Sequence, residues 1–196
     1  AADIGDIDRD GDLDLVVSYN IGSPAYSIFR NSGDGTFPVR ETFDGFSAFS
    51  LVVSDLDIDG HLDVVFGDFY GKTGLLIKYN DKQGGLEPHV QYGGSGAFYD
   101  LCAVDVDGDA RPDVLAAHIS NTVSVYFNDG NRVFTEPLSL NVGSSSYGVA
   151  AADLNRDGRV DVICANNASA DVSVLFNHGD RTFSEAIHFP LTAKPN

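Results

Sequence analysis

The stretch DIDRDGDLD, residues 6–14, places five aspartates within nine residues. Related stretches occur three more times, as DLDIDGHLD (55–63), DVDGDARPD (105–113) and DLNRDGRVD (153–161). Their first aspartates are 49, 50 and 48 residues apart, and such a regular period is typical of repeat architectures. We therefore divide the chain into four repeats, at approximately residues 1–48, 49–98, 99–146 and 147–196, and expect them to form a single domain.

Short apolar segments follow each acidic stretch. The first apolar segment of each repeat is rich in β-branched residues, and the second apolar segment ends in an asparagine, which is Asn31, Asn80, Asn128 or Asn177. A Gly- and Asp-containing turn, a third segment and a fourth segment complete the repeat, and the fourth leads into the next acidic stretch. Runs of this length and composition predict strands rather than helices. Four short antiparallel strands per repeat predict an all-β fold, a β-propeller of four blades with an acidic loop in each blade.

The first repeat is atypical, because only AADIG precedes Asp6 and most of the strand that enters the loop is missing. The tail FPLTAKPN, residues 189–196, could complete that blade and close the ring. Three alternatives stay open: the four blades close as one ring, they pair with a second chain, or they form part of a longer array. The sequence contains no methionine, so we expect a processed product or a fragment.

The spacing of the acidic stretches indicates a metal site. In the pattern D-x-[DN]-x-D-[GA]-x-x-D, side chains at positions 1, 3, 5 and 9 converge if the backbone curls around one point. Several hard oxygen ligands in flexible geometry are the coordination that Ca²⁺ prefers. Aspartate and glycine are also common in turns that bind no metal. Four copies at one period favour the metal-binding interpretation.

The four loops, together with turns such as NSGDGTF (31–37), resemble the FG-GAP and VCBS repeat family, whose calcium-loop blades also occur in integrin α-subunits. The resemblance covers essentially the whole chain and implies a propeller with up to four Ca²⁺ ions, one per repeat. The side-chain ligands that it implies are Asp6, Asp8, Asp10 and Asp14; Asp55, Asp57, Asp59 and Asp63; Asp105, Asp107, Asp109 and Asp113; and Asp153, Asn155, Asp157 and Asp161. The backbone carbonyls that it implies at position 7 belong to Asp12, His61, Arg111 and Arg159.

Two loops depart from the pattern. Position 6 is glycine in three loops but Ala110 in the third, which would cost on the order of 1 kcal/mol if φ is positive there. The fourth loop carries Asn155 in place of a carboxylate. We expect these two loops to bind calcium more weakly than the others.

The charge balance excludes two classes of partner. Twelve basic residues against 29 acidic ones give a formal charge of −17, which repels nucleic acid and anionic lipid. No apolar run approaches the roughly 20 residues that a membrane-spanning helix requires, so we expect no membrane insertion. The two cysteines, Cys102 and Cys164, lie in strand-like contexts and are interpreted as buried free thiols, although a bridge between them stays open.

Two sets of residues at equivalent repeat positions are candidates for ligand binding. His118 shares its position with Tyr19, Asp68 and Asn166, and such positions encircle one axis in a propeller. Aromatic residues stand six positions before three of the loops, at Phe49, Tyr99 and Tyr147, and aromatic faces can stack on sugars. Packing between blades is the simpler interpretation of these aromatics, and scattered surface or strand positions are the simpler interpretation of the histidines.

No catalytic motif is present: the chain has no G-x-S-x-G, no H-E-x-x-H and no phosphate-binding loop. We predict a secreted or cell-surface binding or adhesion module in which calcium is structural, with no enzymatic activity. Its partner would be a protein or a glycan, and self-association is expected if the ring does not close alone. The alternatives are a carbohydrate-binding lectin and a non-catalytic part of a secreted polysaccharide-active enzyme.

Overall fold

In the computed structural model the chain consists of β-strands joined by turns and loops. The structure describes residues 1–19, 25–68, 70, 74–93 and 96–191. Two compact units are present, Ala1–Phe98 and Tyr99–Asn196, and their border falls at the predicted border between the second and third repeats. The prediction of a single domain spanning residues 1–196 stays a prediction.

The first unit contains two four-stranded antiparallel sheets, one per repeat. In each sheet the strands are hydrogen-bonded in chain order, so each strand pairs with the one before it. The first sheet comprises β1 (Ala2–Gly5), β2 (Asp14–Ser18), β3 (Tyr26–Arg30) and β4 (Val39–Phe43). The second sheet comprises β5 (Ala48–Ser54), β6 (Asp63–Asp68), β7 (Leu75–Lys78) and β8 (Val90–Tyr92).

The second unit repeats this arrangement and adds two small hairpins. The third sheet comprises β9 (Phe98–Val104), β10 (Asp113–His118), β11 (Thr122–Tyr126) and β14 (Leu138–Asn141), with the hairpin β12 (Asn128–Gly130) and β13 (Val133–Phe134) inserted before its last strand. The fourth sheet comprises β15 (Ser146–Ala152), β16 (Asp161–Asn166), β17 (Asp171–Leu175) and β20 (Ile187–Pro190), with the hairpin β18 (Asn177–Gly179) and β19 (Thr182–Phe183).

The predicted all-β class and the four strands per repeat are confirmed. The first repeat differs from the prediction, because its sheet has its own first strand: β1 is four residues long, against seven in β5, and pairs with β2 over its whole length. Ladder hydrogen bonds to β2 and the bond from Ser18 N to Ala1 O make this short segment a strand. The residues of the tail beyond Leu191 lie outside the described residues.

Apolar side chains of the middle strands form a separate core in each unit. In the first unit the core includes Ile7, Ile28, Val64 and Phe66, all fully buried. In the second unit the core includes Leu115, Val125, Val162 and Cys164. Strand β6 is buried at all six positions, as expected for a strand covered on both faces. None of the described residues forms a helix that is long and apolar enough to cross a membrane.

Candidate metal centre

Each acidic loop joins the first strand of a sheet to the second and is folded around its own first aspartate. One oxygen of that carboxylate accepts a hydrogen bond from the amide at position 5, and the N···O distance is 3.1 Å in all four loops. The other oxygen accepts the amide at position 6, at 2.8–3.1 Å. The four first aspartates are Asp6, Asp55, Asp105 and Asp153. These two hydrogen bonds stabilise the curled backbone of each loop.

The aspartate at position 9 is buried and connects the loop to the next part of its sheet. Asp14, Asp63, Asp113 and Asp161 are at most 1% exposed. One oxygen accepts the amide at loop position 2, and the other accepts the amide of the repeat asparagine that follows the third strand. A buried carboxylate is tolerated only with such partners. The ninth aspartate therefore has a structural role in addition to its predicted role as a ligand.

Three loops bring aspartate oxygens close enough to hold one ion. In each of three triads the carboxylate oxygens lie within 4.8 Å of one another. The triads are Asp6, Asp8 and Asp10; Asp55, Asp57 and Asp63; and Asp105, Asp107 and Asp113. Ligands on opposite sides of a Ca²⁺ ion are about 4.8 Å apart, because each oxygen lies about 2.4 Å from the ion. The donors are all oxygen and the spacing fits, so the residues present are suited to calcium.

The fourth loop is arranged differently. Asn155 donates from Nδ2 to Asp157 Oδ2 at 3.1 Å, and its Oδ1 accepts the Asp157 amide at 2.9 Å. Arg159 Nη1 lies 2.9 Å from Asp157 Oδ2. The amide and guanidinium of Arg159, together with Asn155, hold the pKa of the Asp157 carboxyl below its usual range. Among the described residues, the aspartate triads occur in the first three loops. The expectation that the third and fourth loops bind calcium more weakly than the others stays a prediction.

Basic side chains contact the carboxylates of the other loops. Lys82 Nζ lies 2.8 Å from Asp59, and Arg111 pairs with Asp109. Arg181, from the turn of the fourth repeat, reaches into the third loop and lies 2.8 Å from Asp107. A cavity of about 320 Å³ lies between the third and fourth loops and is lined by Asp105 and Asp107 among others. The third triad therefore borders open space as well as a cation from the next repeat.

Two residues in every loop have a positive φ, whereas the sequence drew attention only to position 6. At position 6 the values are 100°, 85°, 69° and 86° for Gly11, Gly60, Ala110 and Gly158. At position 4 they are 61°, 56°, 83° and 64° for Arg9, Ile58, Gly108 and Arg156. Each loop therefore has one glycine and one non-glycine residue in the left-handed region, and the third loop has only exchanged their positions. The strain that we assigned to Ala110 does not distinguish the third loop from the others.

Burial affects the ionisation of two ninth-position aspartates. Loss of hydration raises the pKa of Asp63 to about 7, and the neighbouring Asp57 and Asp55 add to the shift. The same cause raises the pKa of Asp113 to about 6, with contributions from Asp107 and Asp109. The backbone amides of loop position 2 and of the repeat asparagine oppose these shifts but do not cancel them. A cation beside these carboxylates would favour their charged form.

The repeat asparagines connect the loops to the strands, a role that sequence analysis missed. Their side-chain oxygens accept the amide two residues later, and their Nδ2 groups donate to the carbonyl at loop position 8; the four are Asn31, Asn80, Asn128 and Asn177. Asn80 also donates to Ile7 O at 2.8 Å, and Asn177 to Val106 O at 2.8 Å. Both of these bonds reach the loop of the preceding repeat. The regular spacing of the asparagines was the available signal.

Tyr99 and Tyr147, two of the three candidate aromatics, stack on each other in the second unit. Their ring centroids are 4.0 Å apart, the planes are inclined by 17°, and the hydroxyls are 3.2 Å apart. Phe49 lies where the register between β5 and β6 shifts, between Ala48 and Ser50. Tyr147 lies where the register between β15 and β16 shifts, between Ser146 and Gly148. Such bulges turn a side chain away from the regular alternation, and Tyr147 is 46% exposed.

His118 makes a hydrogen bond within its own sheet, because its Nε2 lies 2.7 Å from Oγ of the buried Ser124. Burial lowers the pKa of His118, so the ring is neutral at pH 7. Two residues at the same repeat position behave alike: Tyr19 OH and Asn166 Nδ2 donate to Oγ of Ser27 and Ser173 at 3.3 and 2.8 Å. Asp68, the fourth residue at this position, accepts the amide of Tyr70 at 2.9 Å. These hydrogen bonds give a structural reason for the polar side chains at this repeat position. A role of His118 in ligand binding stays a prediction.

One cluster contains the residue types of a catalytic triad without its geometry. Ser173 Oγ and Asp171 Oδ2 lie 3.1 and 3.4 Å from the same nitrogen, Nδ1 of His188. An activated serine requires the two partners on different ring nitrogens, and Ser173 is fully buried. Cys102 and Cys164 are free thiols, and burial raises the pKa of both, to about 11 for Cys164. The cluster therefore does not have the arrangement of a catalytic triad.

Comparison with known proteins gives matches at the level of sequence and of fold. The FG-GAP-like repeat family matches residues 6–66, 55–116 and 105–164, and each match begins at the first aspartate of a loop. Cartilage acidic protein 1 of Xenopus tropicalis is 24% identical over 161 residues, which are 72% of this chain and 25% of that protein. Integrin alpha-6 of Gallus gallus is 28% identical over 142 residues, 62% of this chain and 13% of the integrin.

A solved structure shows the same fold. A chain in the crystal structure of BBS1N in complex with ARL6DN superposes with a TM-score of 0.65 and 11% sequence identity. The match covers 99% of this chain and 54% of the other. The similarity confirms a β-propeller fold. The chain spans a quarter or less of the length of the curated relatives named above.

Proposed function

Because the chain belongs to the FG-GAP-like repeat family, we propose that it is a calcium-binding β-propeller that serves as an extracellular binding or adhesion module. Calcium is structural in this proposal, and the chain has no catalytic activity of its own. The observation that carries the proposal is the recurrence of an aspartate triad in three consecutive loops, from positions 1, 3 and 5 in the first loop and from positions 1, 3 and 9 in the second and third. Asp59, Asp109 and the fourth loop provide further oxygen ligands, for up to four ions.

The chemistry of the loops supports a structural ion. Bound calcium supplies positive charge that offsets the repulsion among the carboxylates. The loop residues are held by their own backbone amides, so the oxygens are positioned before an ion binds. Fifteen of the 29 acidic residues occupy ligand positions, and four Ca²⁺ ions would change the formal charge from −17 to −9. An ion that binds only the folded state stabilises it by RT ln(1 + [L]/Kd).

The extracellular location is supported by the same chemistry. Sites of modest affinity stay filled where calcium is millimolar, as it is outside cells. The negative surface and the absence of catalytic motifs favour a protein or glycan partner over nucleic acid or a small substrate. The Tyr99–Tyr147 stack, in which Tyr147 is exposed, favours a glycan as a second candidate, because an aromatic surface binds sugar rings.

The test is a calorimetric Ca²⁺ titration of chelator-stripped protein, followed in parallel by thermal melting. We expect up to four ions to bind and the melting temperature to rise clearly, with Mg²⁺ at the same concentration as the control. The matched variants are Asp57→Asn and Asp107→Asn, which should each remove one binding event. Melting that is unchanged by excess chelator would refute the proposal.

A further inference from the structure

The residue before each repeat asparagine is a cation in the first repeat and an uncharged ring in the others. Arg30 occupies the position that Tyr79, Phe127 and Phe176 occupy in later repeats. Its side chain is only 10% exposed, which is unusual for arginine and requires compensating partners. The exchange of a ring for a buried guanidinium therefore distinguishes the first loop from the other three.

The guanidinium of Arg30 is directed at the first acidic loop. Nη1 lies 2.9 Å from Oδ2 of the fully buried Asp14 and 3.8 Å from Oδ2 of Asp8. Nε lies 2.9 Å from Glu41 on β4, and Nη2 donates to the carbonyl of Gly84 in the second repeat. These contacts hold Arg30 from three sides, and an arginine keeps its charge at every relevant pH.

The contrast with the second and third loops concerns the ninth aspartate. Asp63 and Asp113 belong to the aspartate triads of their loops. In the first loop the triad is formed by Asp6, Asp8 and Asp10, and Asp14 is paired with Arg30 instead. In the first loop the buried carboxylate at position 9, Asp14, is thus neutralised by Arg30, whereas the equivalent carboxylates of the second and third loops belong to the triads.

We propose that Arg30 is a built-in cation that replaces part of the calcium requirement of the first loop. The guanidinium neutralises Asp14 and repels a divalent ion beside Asp8, so the first loop keeps its shape without metal. It binds calcium more weakly than the second loop, in which Lys82 contacts Asp59 outside the triad. The inference rests on the proposed calcium binding. It makes the first loop less dependent on calcium than the second loop.

The test isolates the first loop in the full chain. In a background of Asp57→Asn, Asp107→Asn and Asp153→Asn, which weakens the other loops, we compare Arg30 with Arg30→Phe by calcium calorimetry. We expect Arg30→Phe to tighten binding at the first loop at least tenfold. In chelator it should melt lower than its parent, because Asp14 loses its buried partner, and added calcium should raise its melting temperature more than it raises that of the parent.

A second variant and a matched control complete the design. Arg30→Gln removes the charge while keeping hydrogen-bonding groups, so it tests the inference if Arg30→Phe does not fold in chelator. Tyr79→Phe, at the equivalent position of the second repeat, should leave first-loop binding unchanged. Equal affinity with and without Arg30, while the unmodified chain binds calcium at the second and third loops, would overturn this inference alone. Absence of calcium binding in the unmodified chain would instead overturn the proposed function and this inference with it.

Discussion

Replacing Asn80 by alanine should destabilise the first unit more than any equivalent change in the first repeat. Asn80 is 1% exposed and makes three side-chain hydrogen bonds: to Ile7 O at 2.8 Å, to Leu62 O at 3.1 Å, and from Lys82 N at 2.8 Å. The bond to Ile7 joins the second repeat to the loop of the first. The substitution therefore removes both a turn contact and a contact between repeats.

The magnitude follows from the partners that are left unsatisfied. A buried polar group without a partner costs about 1–3 kcal/mol, and the loss of three bonds from a buried site gives about 3 kcal/mol in the free energy of unfolding. Asn31 is the matched control in the same unit, since its bonds to Leu13 O and from Gly33 N are exposed, and water can replace them. Asn31→Ala should cost about 1 kcal/mol.

Urea unfolding measures the difference. The chain has eight tyrosines and no tryptophan, so tyrosine fluorescence and circular dichroism are the suitable signals. With a slope of about 2 kcal/mol per molar urea, Asn80→Ala should lower the midpoint by about 1.5 M and Asn31→Ala by about 0.5 M. Midpoints of the two variants within about 0.3 M of each other would refute the argument that the Ile7 contact and burial set the cost.

Two further predictions concern loop strain and pH. Ala110→Gly should stabilise the metal-free protein by about 0.5–1 kcal/mol and Gly108→Ala should destabilise it by at least as much, because both positions have positive φ. Thermal melting measures both changes. A lower melting temperature for Ala110→Gly or a higher one for Gly108→Ala would contradict the strain argument. In chelator, stability should fall as pH rises from about 4 to 7, because burial raises the folded-state pKa of Asp63 to about 7 and that of Asp113 to about 6, above the usual value of an aspartate. The unfolded chain therefore releases these protons first. Urea midpoints between pH 4 and 8 test this, and Asp63→Asn should flatten the profile; an unchanged slope in that variant would exclude Asp63 as its source.

The fold and the positions of the acidic loops were predictable because they depend on local patterns. Three patterns act within one repeat: the alternation of apolar residues, the turn residues at a fixed period and the aspartates at odd loop positions. Because the chain has four repeats, each pattern can be read four times in the sequence. The first strand of the first repeat was underestimated for the same reason. AADIG is weak as an isolated pattern, and it becomes β1 only through its ladder with β2.

The remaining features depend on contacts between residues that are distant in the chain. Arg30 and Asp14 are 16 residues apart, Arg181 and Asp107 are 74 apart, and Asn80 and Ile7 are 73 apart. No periodic signal marks Arg30, which occurs at one repeat only, and Arg181 shares its repeat position with Arg132 alone. The stack of Tyr99 on Tyr147 joins equivalent positions of two repeats, and the exposure of Tyr147 coincides with a bulge that the sequence pattern does not reveal.

The sequence by itself determined the all-β class, the four repeats, the strand order within each and the oxygen-rich loops, because strand periodicity and turn chemistry are properties of neighbouring residues. Only the tertiary structure decided which carboxylates meet, which aspartates are buried, where a side-chain cation enters a loop and how asparagines connect successive repeats. Those outcomes depend on the packing of one repeat against the next, where electrostatic attraction and desolvation act between groups that the linear sequence keeps apart.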